Sequence, residues 1–216
     1  MVTEAELIDA VDAAFALTAR GLDAWPDPHP DRSVLDEEYS RLSDPGKWRI
    51  VGARAEAWAT TLVGAGLATL ERDVQTEWST APPTLVTRTS RLVPRAVGAL
   101  SLVIAASRLG DVDDAGTTLG AGDPAVCVAF IPDCGCDACD SGSQDVIDEL
   151  DVNVWAVVSG AFRHLRSGVR EIIVRGEHGW SASGSFARGE VAEVITRAVG
   201  WNEVAGSSWL SRASGG

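Results

Sequence analysis

Ala99-Leu-Ser-Leu-Val-Ile-Ala-Ala106 decides the fold class. Leu100, Leu102, Ile104 and Ala106 alternate with Ala99, Ser101, Val103 and Ala105, a period of two with both faces apolar or small. A strand of that kind belongs inside a sheet covered on both sides. Ala125-Val-Cys-Val-Ala-Phe-Ile131 repeats the pattern, so two central strands are expected. Thr84 to Leu92 reads as an edge strand beside them. Ile172 to Arg175 and Trp180 to Ser183, joined by Gly176-Glu-His-Gly179, read as a hairpin.

Outward from these strands the period becomes helical. Upstream, Leu7, Val11, Phe15, Thr18 and Leu22 share one side of a helix expected over about Glu4 to Leu22. Trp25-Pro26-Asp-Pro28-His29-Pro30 breaks it, because closely spaced prolines cannot continue a helix. Asp44-Pro45 is a second start signal, a capping residue before a proline at the first helical position. From there Trp48, Val51, Ala55, Trp58, Leu62, Ala65 and Leu70 form an apolar stripe that Pro82-Pro83 ends. Downstream, Ile147, Leu150, Val154, Val158, Ala161 and Leu165 predict a helix from about Ser143 to Ser167. Ser141 with Gln144, or Ser143 alone, would cap it, and Arg163, His164 and Arg166 would fall in its last turns. A shorter helix is expected near Arg188 to Val199. Strands and helices do not alternate regularly, so the expected class is α+β. N-terminal helices would precede a mixed or antiparallel sheet with helices on one face. The domain reading is a single domain over 1–216, with 1–80 helical and 84–216 containing the sheet.

Composition narrows the function. With 45% hydrophobic and 23% charged residues the chain is globular, and 216 residues bury enough surface (about 70%) to fold without a metal or disulfide. No apolar run approaches the roughly 20 residues of a membrane span. Met1-Val-Thr-Glu-Ala-Glu lacks the basic start and apolar stretch of a signal peptide, so the expected location is the cytoplasm. A net charge of −13 argues against nucleic acid. It suits a basic protein partner on the acidic surface, and equally plain solubility. The single lysine, Lys47, against seventeen of eighteen basic residues as arginine, is the bias of a GC-rich genome.

The sharp chemical feature is Cys134-Gly-Cys136-Asp-Ala-Cys139, in the loop between the second central strand and the capped helix. Cys127, inside the strand, reads as a small core residue. Three readings of the other thiols compete. In the first, Cys134, Cys136 and Cys139 are soft ligands of a structural metal, zinc above others. The fourth ligand would then come from Cys127, His29, His178, Asp133, Asp137 or Asp140. In the second, Cys136-Asp-Ala-Cys139 is a redox pair near a helix N-terminus. In the third, the thiols have no special work. Asp133, Asp137, Asp140 and Asp145 crowd the loop, and no lysine or arginine lies between Gly110 and Arg163. Such negative charge disfavours a bare thiolate and favours a bound cation.

Other constellations are weaker. Asp111-Val-Asp113-Asp114-Ala-Gly116 fails the calcium-loop template, which asks for glutamate where this chain has Gly122, and reads as a turn. Gly179-Trp-Ser181-Ala-Ser183 lacks the last glycine of a nucleophile elbow. His29, His164 and His178 read as unpaired surface residues, His164 on the polar face of its helix. Trp48, Trp58 and Trp155 read as core residues, while Trp201 and Trp209 would dock the tail or form a partner-binding patch.

Leu109-Gly-Asp-Val-Asp-Asp-Ala-Gly116 and Gly122-Asp-Pro-Ala-Val-Cys-Val-Ala-Phe-Ile-Pro-Asp-Cys-Gly-Cys-Asp-Ala-Cys-Asp-Ser-Gly-Ser-Gln-Asp145 resemble a family of actinobacterial proteins of unknown function. Glu38-Tyr-Ser-Arg-Leu-Ser-Asp-Pro-Gly-Lys-Trp-Arg49 and Gly179-Trp-Ser-Ala-Ser-Gly184 are similar to that family too. The resemblance spans most of the chain and implies a source group without a mechanism. The expected function is therefore that of a non-enzymatic cytoplasmic protein with a zinc-holding, thiol-rich loop. The alternative is a thiol/disulfide redox protein or small enzyme using Cys136 and Cys139. A further alternative is a hard-metal hydrolase on the aspartates of 111–114 and 133–140.

Overall fold

Helix α1, Glu4–Thr18, opens on a reciprocal cap in which the Glu6 backbone N–H donates to Thr3 Oγ1 at 3.3 Å and the Thr3 N–H donates to Glu6 Oε2 at 2.8 Å. The structure, a computed structural model, describes residues 3–82 and 84–210. Met1 and Val2 of the expected leaderless start, and Pro83 of the expected Pro82-Pro83 stop, lie outside the described residues. Leu7 and Val11 are the two buried residues of α1. A 3-10 turn at Pro45–Trp48 leads into α2, Arg49–Gly64, so the Asp44-Pro45 start is where it was expected, although Asp44 makes no capping bond.

The apolar stripe overruns the helix it begins. Helix α2 stops at Gly64, and Leu70 lies in strand β1, Ala68–Arg72. Glycines at 64 and 66 are poor helix residues, and a stripe that is merely apolar cannot distinguish a helix from a buried strand. Strand β2, Trp78–Thr80, and β3, Val86–Pro94, follow. With β4, Leu102–Leu109, β5, Val112–Ala121, and β6, Ala125–Ile131, they form a six-stranded sheet in the order β1-β3-β4-β5-β6-β2. Every pairing is antiparallel except β2 with β6, which is parallel. The sheet is therefore mixed and the fold α+β. Strands β4 and β6 are interior, as their patterns require, whereas β3 is no edge strand: β1 covers its outer side.

Helix α3, Ser143–Val158, packs on the same sheet beside α2. Three helices are pinned together at Arg54, whose side chain is 4% exposed. Its Nε and Nη2 donate to the two Asp151 oxygens at 2.9 and 2.6 Å, and its Nη1 donates to Asp12 at 2.6 Å. Trp58 Nε1 completes the cluster by donating to Asp151 at 2.6 Å. A buried charge is tolerable only with such full pairing.

The expected continuation of α3 to Ser167 is wrong. Gly160 takes a left-handed φ of 77° just beyond the C-terminus, the usual helix stop, and residues 162–167 are strand β7, Phe162–Ser167. Strands β8, Arg170–Arg175, and β9, Trp180–Ser183, form the expected hairpin. After α4, Glu190–Arg197, strand β10, Asn202–Ala205, completes a second sheet in the order β10-β7-β8-β9. Leu165, Ile172 and Val174 of that sheet pack with Val191 and Val194 of α4. The tail then returns to the main core, where Trp209 is 2% exposed and its Nε1 donates to the Leu100 carbonyl at 3.0 Å.

Candidate metal centre

Strand β6 ends at Ile131, and α3 begins at Ser143; the loop between them carries the three thiols. Gly135 makes it tight. Its φ is 65°, and a Cβ there would approach Leu109 Cδ2 to 2.8 Å and Pro132 Cγ to 3.1 Å, so only glycine fits between Cys134 and Cys136. A short 3-10 turn, Asp137–Cys139, brings Cys139 back, with its N–H donating to the Cys136 carbonyl at 3.0 Å. The result is convergence: the sulfurs of Cys134, Cys136 and Cys139 all lie within 4.8 Å of one another, and the first two are 3.4 Å apart. Cys136 is buried, while Cys134 and Cys139 are exposed.

All four cysteines are free thiols. The 3.4 Å separation is far beyond a disulfide's bond of about 2.05 Å. It is close to the sulfur–sulfur edge of a tetrahedral zinc site, about 3.8 Å for zinc–sulfur bonds of about 2.3 Å. The three sulfurs could therefore hold one metal ion. Cys127 does not join them. It sits in β6 with its thiol toward the Ala129 carbonyl at 4.0 Å, and burial beside Glu171 pushes that thiol up to about 11.

The three thiols are unequal. Burial alone would raise Cys136, but hydrogen bonds from Cys139 and Cys134 and from the Ser40 and Cys139 N–H groups outweigh it and hold the thiol below its ordinary value. Cys139, which donates to its two neighbours, is pushed up to about 12. Cys136 is thus the acceptor at the centre of a hydrogen-bonded trio.

Asp137 and Asp140, expected to crowd the thiols or ligate the ion, have their carboxylates engaged by other partners. Asp137 accepts from Arg41 Nε at 2.6 Å, Ser43 Oγ at 2.6 Å and the Ser43 N–H at 3.0 Å, and its own N–H donates to the Arg41 carbonyl at 2.8 Å. Burial would raise its carboxyl, yet the Ser43 and Arg41 donors bring it down to about 2. Asp140 accepts from Trp25 Nε1 at 2.8 Å and the Gly142 N–H at 3.0 Å, and forms a close ion pair with Lys47. Lys47 also lies 5.0 and 5.1 Å from the Trp25 and Trp48 rings, which meet edge to face at 5.3 Å. Ser143, expected as a cap, instead donates its backbone N–H to the Trp25 carbonyl at 3.0 Å. The thiol loop is therefore latched to residues 25–47. Sequence reasoning missed this latch, and the only hint was that Lys47 is the sole lysine.

The remaining candidates are separate. His29 Nδ1 lies 3.2 Å from the Asp140 carbonyl and Nε2 3.5 Å from Glu38. His178 is exposed in the turn before β9. His164 is no surface residue of a helix: it is a strand residue, 4% exposed, with Nε2 2.5 Å from Glu171. Asp113 and Asp114 are paired with Arg108 at 2.7 Å and Arg88 at 3.1 Å. Ser181 Oγ accepts from Arg175 at 3.1 Å. Among the described residues, the cysteine trio is the one group of three or more ligand side chains at metal spacing, and no helix is long and apolar enough to cross a membrane.

No curated protein and no solved structure matches the chain. The chain belongs to a family of unknown function, DUF6226, whose profile matches residues 11–213.

Proposed function

We propose that this member of the family is a non-enzymatic zinc-binding protein of the cytoplasm, with one zinc ion held by Cys134, Cys136 and Cys139. The observation that carries the reading is the convergence of three free sulfurs within 4.8 Å on one short loop. Zinc is favoured because three thiolates are soft and the spacing suits one ion. The ion would tighten a loop that Asp137 and Asp140 already fasten to Arg41, Ser43 and Lys47. Its role is then structural, holding the 25–47 segment against the start of α3. The net charge of −13 supports a basic protein partner over nucleic acid. The arginine bias supports an actinobacterial source.

Elemental analysis with a thiol count tests the reading. Purified chain is expected to hold about one zinc per molecule, lost in Cys136→Ser. Four titratable thiols with no metal would refute it, and two thiols lost reversibly to an oxidant without metal would favour the redox alternative.

A further inference from the structure

Resting on that zinc reading, we infer that the fourth coordination position of the centre is filled from outside the chain, by a water that a small thiol can replace. Three sulfurs complete three corners of a tetrahedron, and no fourth ligand side chain shares their spacing among the described residues. Of the groups nearby, Asp133 is exposed beside Cys134 and outside the trio's spacing, and the two aspartates beyond it have partners of their own. Asp137 is held by Arg41 and Ser43, and Asp140 by Trp25, Gly142 and Lys47. His29 Nδ1 faces the Asp140 carbonyl, its buried Nε2 lies 3.5 Å from Glu38 without a hydrogen bond and outside the trio's spacing, and Cys127 is fixed within β6.

The exposure pattern sets the direction of the open corner. Cys136 is at the buried base, while Cys134 and Cys139 stand at an exposed rim, so the unfilled side faces solvent. A zinc ion with three protein ligands keeps water in the fourth position, and its three sulfurs still fasten the loop. An all-sulfur set makes the ion soft, and its preferred newcomer is another thiolate over a carboxylate. A small thiol can approach over the exposed rim formed by Cys134 and Cys139. In the exchange the thiol gives its proton to solvent, its sulfur bonds to zinc, and one water leaves. Nothing is oxidised or reduced.

X-ray absorption at the zinc edge of the zinc-loaded full chain tests this, without and with β-mercaptoethanol. The expected first shell is three sulfurs and one light atom, becoming four sulfurs with the thiol. Asp133→Asn should leave both spectra unchanged. Four sulfurs before thiol is added would recruit Cys127 and overturn the inference. So would imidazole scattering that disappears in His29→Gln or His178→Gln, a light atom lost in Asp133→Asn, or a shell indifferent to thiol. Zinc that fails to bind at all would refute the underlying zinc reading as well, so the two failures are distinguishable.

Discussion

Asp137 shows how a single side chain in the thiol loop serves the fold. Its carboxyl moves from an ordinary 3.8 down to about 2, against burial, because Ser43 and Arg41 donate to it. A folded-state value below the unfolded one stabilises above the unfolded pKa and ceases to do so as pH falls through the folded value. Asp137→Asn is thus expected to lower the melting temperature by about 2–4 °C at neutral pH. The gap from the parent should close between about pH 4 and pH 2. A gap that is constant across that range would mean Asp137 acts through shape alone. The residue was legible in the sequence as an aspartate beside thiols, but its partners were not. Arg41 and Ser43 lie more than ninety positions away, and no local pattern reports a contact of that span.

Between elements, the ambiguous signals were the apolar stripes. Two of the three helical stripes ran on into strands, Leu70 into β1 and Leu165 into β7, since an apolar residue at i+4 also fits a buried strand, and the first overran α1, which ends at Thr18. The stops lay in the glycines, at 64, 66 and 160, which the stripe reading passed over. By contrast β6 was read with its observed bounds, because a short double-sided apolar run between turn residues suits a central strand far better than a helix. The last element, beyond β10, is fastened by Trp209. Its ring is buried in the core formed by α2, α3 and the large sheet, and its Nε1 is satisfied by Leu100. Trp209→Ala should cost about 3–5 kcal/mol in urea-induced unfolding. A cost below about 1 kcal/mol, the range of a surface change, would show that the tail contributes little to the core.

For the whole molecule, stability and the candidate site are separable. The main core runs from Leu7 to Trp209 through α1, α2, α3 and the six-stranded sheet, and none of the three clustered thiols belongs to it. Removing zinc with a chelator is accordingly expected to loosen part of the chain. Hydrogen exchange should quicken at residues 132–143 and 25–47 while β4, β5 and β6 keep their protection. Unfolding of the entire chain on chelation would instead make zinc a condition of the fold, and unchanged exchange would remove it as a fastener.

By itself the sequence determined the fold class, two interior strands, the hairpin and the three clustered thiols. These rest on periodicity and on spacing within a few residues, which the chain carries locally. Only the tertiary structure decided what surrounds the thiols. Lys47, Arg41 and Ser43 reach the loop across the fold, turning a stretch that looks purely acidic into one where Asp137 and Asp140 are paired. Charge along a chain sums neighbours in sequence, whereas a side chain responds to neighbours in space, and here the spatial set adds cations that the local sequence lacks.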